Sequence, residues 1–186
     1  MQSALADIAT PRLLLRLMGI EAVESILNGS IIAAEDILKV KVPRELLENA
    51  SSLNYTRTEL QKDSSYLPWS VRAIISKEHR QMIGIIRFHS GPKPIDLPGC
   101  DGVAVEFGYR VFSKYRNNGY AKESVQSMMD WAQLHFGINR FLASVSPENI
   151  ISNRLISSFG FVKVAEMIDE IDGIEYVFLR EGMTDL

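Results

Sequence analysis

An internal disulfide is excluded by arithmetic. The chain holds one cysteine, Cys100, and one thiol closes no internal bridge, so nothing calls for an oxidising compartment. Cys100 lies in Pro98-Gly99-Cys100-Asp101-Gly102, a turn-like run with no histidine beside it, and reads as an inert loop thiol. Histidine is equally scarce: His79, His89 and His135 are scattered without metal-ligand spacing, so no metal site is expected. Positive charge is short as well. A formal net charge of -3 gives no general attraction to nucleic acid or to an anionic membrane, and any anion site must be local. No run approaches the ~20 apolar residues that span a bilayer. The opening Met1-Gln2-Ser3-Ala4-Leu5-Ala6-Asp7 lacks the basic n-region and apolar core of a secretory signal. The expected location is the cytoplasm. A P-loop Gly-Lys-Ser/Thr run is missing too, which argues against a nucleotide-phosphate enzyme of that kind.

What is present suffices for one domain over residues 1–186. With 46% hydrophobic residues in 186, the chain can bury a full core without covalent staples. Pro11 marks the expected start of ordered chain, and residues 13–17 read as a first strand. Residues 20–62 look helical in pieces: 20–27, closed by Asn28-Gly29; 44–48, with Pro43 in its first turn; and 53–62. Strands are expected at 71–76 and 82–88, forming a hairpin. A Pro- and Gly-rich loop fills 89–102. The almost uninterrupted apolar run at 103–112 reads as a central strand buried on both faces.

A long helix follows. Ala121, Val125, Met128, Met129, Ala132 and Phe136 recur at helical spacing and form one apolar stripe, which makes the methionines core residues. Gly137 ends that helix. A strand at 140–144, a helix opened by Pro147-Glu148-Asn149 and closed by Gly160, and strands at 161–168 and 174–179 complete the chain. The expected fold class is α/β (α+β): a mixed, mostly antiparallel sheet with helices on both faces.

The junction from Tyr109 to Ser124 carries the strongest chemical signal. A buried strand ends, a bend containing Gly119 follows, and the long helix begins. Free amide N–H groups at such a helix start suit an anion, and the helix dipole adds to them. Gly119 and Ala121 allow close backbone approach, while Lys114, Arg116 and Lys122 bring positive charge. A helix start with solvated cations is the alternative reading of the same residues.

This run resembles the acetyl-coenzyme A motif of the GNAT superfamily of N-acetyltransferases, Arg/Gln-x-x-Gly-x-Gly/Ala, met here by Arg116, Gly119 and Ala121. The resemblance extends through most of the chain. Thr10-Pro11-Arg12-Leu13-Leu14-Leu15-Arg16 resembles the opening strand of the RimJ/RimL-like branch, which acetylates ribosomal-protein N-termini. Val105-Glu106-Phe107-Gly108-Tyr109 resembles its fourth strand. Pro147-Glu148-Asn149 through Ser152 to Phe159-Gly160-Phe161 resembles its last helix and the strand after it. Residues 20–68 match nothing in the family that can be named.

The resemblance implies that acetyl-coenzyme A is a cosubstrate. The amides of Arg116, Asn117, Asn118, Gly119, Tyr120, Ala121 and Lys122 would hold its pyrophosphate, and a backbone N–H near Val111 would face the developing oxyanion. Three positions depart from the pattern. Asn117 and Asn118 stand where Gly and Lys are common, at the loss of one cation, although Asn tolerates left-handed backbone. Ile156 stands where many members carry the tyrosine that protonates the leaving thiolate.

Acetyl transfer needs a proton acceptor for the amine, a fixed donor for the oxyanion, and a proton for the leaving thiolate. Glu106, flanked by Val105 and Phe107, is the base candidate, since burial raises a carboxyl pKa. A structural glutamate paired with a cation is its other reading. Ser152, one turn after Asn149, is the acid candidate, against a first-turn serine bonded to its own helix. Asn149 reads as an N-cap that can also touch the coenzyme's pantetheine arm. Trp69 with Arg72 reads as core rather than as an acceptor pocket. Glu166, Asp169, Glu170 and Asp172 either draw in a cationic amine or form a solvated acidic turn. The expected partner is an amine acceptor, a small molecule or a protein N-terminus, used by a monomer or a homodimer. The alternative is a catalytically degenerate acyl-coenzyme A sensor, which Ile156 favours and the pair Glu106 and Ser152 opposes.

Overall fold

The computed structural model describes residues 3–169 and 173–182. Strands β1 (Ile8–Ala9) and β2 (Leu13–Leu17) are followed by α1 (Ile20–Leu27), α2 (Ile31–Leu38) and α3 (Ser51–Lys62). Next come β3 (Arg72–Ser76), β4 (Gln81–Phe88), β5 (Lys93–Pro94) and β6 (Val103–Val111). The chain continues through α4 (Tyr120–Phe136), β7 (Arg140–Val145), α5 (Ile150–Ser157), β8 (Val162–Asp169) and β9 (Gly173–Glu181). The sheet order is β1-β2-β3-β4-β6-β7-β9-β8, with β5 on the flank of β6. Only β6 and β7 run parallel among these pairs, as a strand–helix–strand crossover through α4 requires.

Helices cover both faces. Consecutive strand residues point to opposite faces, and Arg87 and Phe88 report one face each. The Arg87 guanidinium lies 4.2 Å from the Tyr55 ring of α3. Phe88 stacks with Trp131 of α4, ring centroids 6.2 Å apart. Trp131 also meets Trp69 edge-on, and both are buried, so Trp69 is a core residue. Arg72 is fully buried: it donates to the carbonyls of Ala4 and Ala6, each at 3.0 Å, and lies over Trp131. Burial draws its pKa down to about 10, which leaves it charged at neutral pH as a clamp on the N-terminal segment.

The structure corrects several expectations. Ordered chain precedes Pro11, because β1 pairs with β2. Helix α2 carries no stop glycine; it ends on Lys39 at φ 51, which hides the boundary. The helix expected at 44–48 is a 3-10 turn, Arg44–Asn49. Phe136 is partly exposed, and Trp131, outside the expected stripe, is buried instead. Strand β6 is central but not buried throughout: Glu106, Gly108, Tyr109 and Arg110 are half-buried, because its second half faces a cavity.

Candidate active site

The cavity exists because two strands part. β7 pairs with β6 only at Val105–Phe141 and Glu106–Leu142, whereas β4 stays paired to β6 through Val111. On the β4 side, His89 N donates to Glu106 O at 2.7 Å and Phe112 N to Ile83 O at 2.8 Å. Backbone groups alternate along a strand, so those of Phe107, Tyr109 and Val111 face the gap that β7 leaves. A wedge of about 400 Å³ opens there, lined by Gly108, Tyr109, Ser144, Asn149, Ser152 and Ile156 among others. It shares Tyr109, Asn149 and Ser152 with a larger cleft of about 550 Å³ that runs to the start of α4.

That helix start leaves its first amides without a side-chain cap. Asn117 (φ 62) and Gly119 (φ 75) both take left-handed backbone, which turns the chain sharply into α4. Gly119 is the N-cap and supplies no side-chain acceptor, so the first-turn amides of Tyr120, Ala121 and Lys122 point into the cleft without a cap. The one carboxylate of the first turn, Glu123, is held away by Thr10, Arg12 N and Arg12 Nε. The side chains of Arg116, Lys122 and Arg154 line the cleft, and Arg116 Nε also donates to Val111 O at 3.1 Å.

Helix α5 supplies the opposite wall. Asn149 Oδ1 accepts from Ser152 N at 3.1 Å, so it is the expected N-cap. The Ser152 hydroxyl accepts from the Tyr109 phenol at 3.2 Å, a partner on β6 rather than in its own helix. Burial raises the Tyr109 pKa against the opposing effect of Ser152, so the phenol stays protonated. Ile156 is fully buried and lines the wedge; α5 offers no phenol there.

Glu106 lies on the other face of β6 from Tyr109, as odd and even strand positions must. His89 Nδ1 is 3.6 Å from Glu106 Oε1. The expected upward pKa shift does not occur. Burial does push the Glu106 carboxyl up, but His89, Ser144 and Arg87 outweigh it, and the net direction is down. Glu106 is therefore a carboxylate held below its ordinary range beside His89.

The structure brings Val111, Arg116, Asn117, Gly119, Tyr120, Ala121, Lys122, Asn149 and Ser152 around one cleft. Asn118 is the exception: its side-chain amide donates to the carbonyls of Tyr115 and Arg116 and stabilises the bend from behind. Lys114 is also turned away, toward a separate depression beside His79 and Tyr115. Three residues were missed by sequence reasoning. Tyr109 and Arg154 lay inside runs that resemble the family but were assigned no role there; His89 stood in an apparent loop, and only the antiparallel pairing of 82–88 with 103–112 could have placed it opposite Glu106. Glu166 pairs with Lys163, while Glu170 and Asp172 lie outside the described residues. Among those described, no helix is long and apolar enough to cross a membrane.

Residues 12–162 match the family described as acetyltransferase (GNAT) domain. The chain is 26% identical over 119 residues to the uncharacterized N-acetyltransferase YoaA of Bacillus subtilis (strain 168), covering 64% of this chain and 62% of that protein. It is 33% identical over 91 residues to the uncharacterized N-acetyltransferase p20 of Bacillus licheniformis, covering 49% and 47%. The matches thus span about three-fifths and about half of those relatives' lengths. Among solved structures, RimL, a ribosomal L7/L12 alpha-N-protein acetyltransferase in complex with coenzyme A, shares the fold at a TM-score of 0.63. That likeness has 18% identity over 97% of this chain and 100% of that one. With the family pattern running from residue 12 to 162, over the parted strands and the left-handed bend alike, this chain belongs to the acetyltransferase (GNAT) family.

Proposed function

We propose that the protein moves an acetyl group from acetyl-coenzyme A to a primary amine by direct attack. The observation that carries this reading is the opening between β6 and β7, which joins an uncapped helix start to a wedge lined by Tyr109 and Ser152. The coenzyme supplies an activated acetyl thioester. The amides of Tyr120, Ala121 and Lys122 would hold its pyrophosphate, with Arg116, Lys122 and Arg154 adding charge. The Asn149 side chain and the inward-facing backbone of Phe107 and Tyr109 would align its arm. The N–H of Val111 or Tyr109 faces the space where an oxyanion would form. Ser152, supported by the Tyr109 phenol, would deliver a proton to the departing sulfur. The Glu106–His89 pair, on the opposite face, would deprotonate the amine as it arrives.

The acceptor is a protein N-terminus or a small-molecule amine. A sensor that binds acyl-coenzyme A without turning it over is the second reading, and the buried Ile156 favours it. The test is thiol release from acetyl-coenzyme A with a panel of serine- and alanine-initiated peptides, spermidine and free amino acids. Amine-dependent release supports transfer; tight coenzyme binding with no release from any of these supports the sensor.

A further inference from the structure

We propose that His89, rather than Glu106, takes the proton from the attacking amine, and that Glu106 is its positioning residue. This rests on the acetyl-transfer reading above. His89 follows the last residue of β4 and lies directly across from Glu106, with its amide bonded to the Glu106 carbonyl at 2.7 Å. The ring carries two nitrogens, and the structure gives them different surroundings. Nδ1 faces the carboxylate at 3.6 Å. Nε2 lies over Gly108: a Cβ built on that glycine would sit 2.8 Å from it. Gly108 lines the wedge between the parted strands. A side chain at Gly108 would push the imidazole aside, so Nε2 lies against the strand position that lines the wedge where an acetyl group would sit.

The backbone around the ring is pinned. Tyr55 Oη donates to His89 O at 2.6 Å and Tyr66 Oη to Phe88 O at 2.7 Å. The charged and titratable groups that face the dyad are Arg87 from β4, Tyr55 from α3 and, through Glu106, the Ser144 hydroxyl of β7. A carboxylate held below its ordinary range is a poor match for an amine proton, whereas an imidazole suits proton transfer near neutrality. A carboxylate 3.6 Å from Nδ1 favours the tautomer with the proton on that atom and the lone pair on Nε2.

The atoms balance. The ammonium of the acceptor gives one proton to His89 Nε2, and Glu106 stabilises the imidazolium. The freed nitrogen lone pair forms the C–N bond to the acetyl carbon as the C–S bond breaks. The second nitrogen proton passes to bulk water as the amide forms, and the thiolate takes the Ser152 hydroxyl proton; Ser152 then regains a proton from water and His89 releases its own, so each turnover delivers one net proton to solvent.

Two measurements test this on the full chain. Long-range proton–nitrogen NMR of the protein without coenzyme should show neutral His89 carrying its proton on Nδ1, and Glu106→Ala should shift it to the Nε2–H form. Steady-state rates come next, with whichever peptide or amine of the panel turns over. His89→Gln should lower kcat by about 10²-fold with KM for acetyl-coenzyme A unchanged. Glu106→Gln should lose about 10-fold, with Glu106→Asp recovering part of the rate. Gly108→Ala, which leaves both ionisable groups intact but crowds Nε2, should lower kcat as His89→Gln does and covers the case of a misfolded histidine variant. Wild-type rate in His89→Gln, or an Nε2–H tautomer in the wild type, would overturn the dyad while leaving acetyl transfer standing. A wild type inert toward the whole panel would overturn both.

Discussion

Tyr109 on β6 donates its phenolic proton to Ser152 on α5, with 3.2 Å between the two oxygens, on the wall that the cleft and the wedge share. The pair stands where Ile156 leaves α5 without a phenol. Ser152→Ala should therefore lower turnover by about 10²-fold or more, as loss of an acid does. Tyr109→Phe removes one hydrogen bond and should cost roughly tenfold, with coenzyme affinity kept in both. Because burial holds the Tyr109 pKa up, the wild-type rate should show no fall from phenol ionisation through mildly alkaline pH. A Tyr109→Phe variant with wild-type kcat would remove the phenol from the mechanism.

Gly119 separates close backbone approach from charge. Its φ of 75 costs an L-residue about 1–2 kcal/mol, and a branched side chain would also stand at the mouth of the amide cradle. Gly119→Val should abolish acetyl-coenzyme A binding in calorimetry. Arg116→Ala should weaken it by about 1–2 kcal/mol, as expected of a partly exposed charged contact. Equal losses in two folded variants would show that charge holds the anion.

Glu123 gives a stability prediction with a definite sign. Burial raises its pKa, but the bonds from Thr10, Arg12 N and Arg12 Nε outweigh it and the folded value is lowered. A depressed carboxyl contributes stability above its unfolded pKa, ~4.3, and loses that contribution as pH falls through the folded value. Glu123→Gln should cost about 1 kcal/mol at neutral pH, a modest figure because Arg12 is half exposed. Urea titrations should show the gap from wild type closing toward about pH 3. A gap independent of pH would mean that shape, not charge, matters at this site.

Lys114 and Arg154 test which cations serve the cleft. Both are basic and close to the bend in space or sequence, yet only Arg154 lines it. Arg154→Ala should weaken coenzyme binding by about 1 kcal/mol, with the difference shrinking at high salt. Lys114→Ala should leave the affinity unchanged. A reversed order would place the phosphates in the depression beside His79.

The residues differ in how much of this they disclose. Strand and helix periods mark 13–17, 20–27, 82–88 and 120–136 because an apolar face repeats there, and the bend shows itself through Gly119 and its cations. Helix α2 is hidden by its left-handed Lys39 and by an apolar face reduced to Ala34 and Leu38. The site is legible where one segment builds it, from Arg116 to Lys122. Tyr109 with Ser152 and His89 with Glu106 are pairs across elements, set by strand register and by the parting of β6 from β7. Register is a tertiary property, and no local pattern in either segment encodes it. The Glu106 pKa was misjudged for the same reason: burial was readable from Val105 and Phe107, but its partner was not.

The central claim is that the acetyl group ends on an amine nitrogen. Isotope-labelled acetyl-coenzyme A incubated with the panel of peptides, spermidine and amino acids, followed by mass spectrometry of each acceptor, tests it directly. The account predicts label on the nitrogen of at least one amine, with coenzyme thiol released in equal amount, and loss of both in Gly119→Val. Label recovered only as free acetate or as intact coenzyme, while calorimetry shows the coenzyme bound, would contradict it.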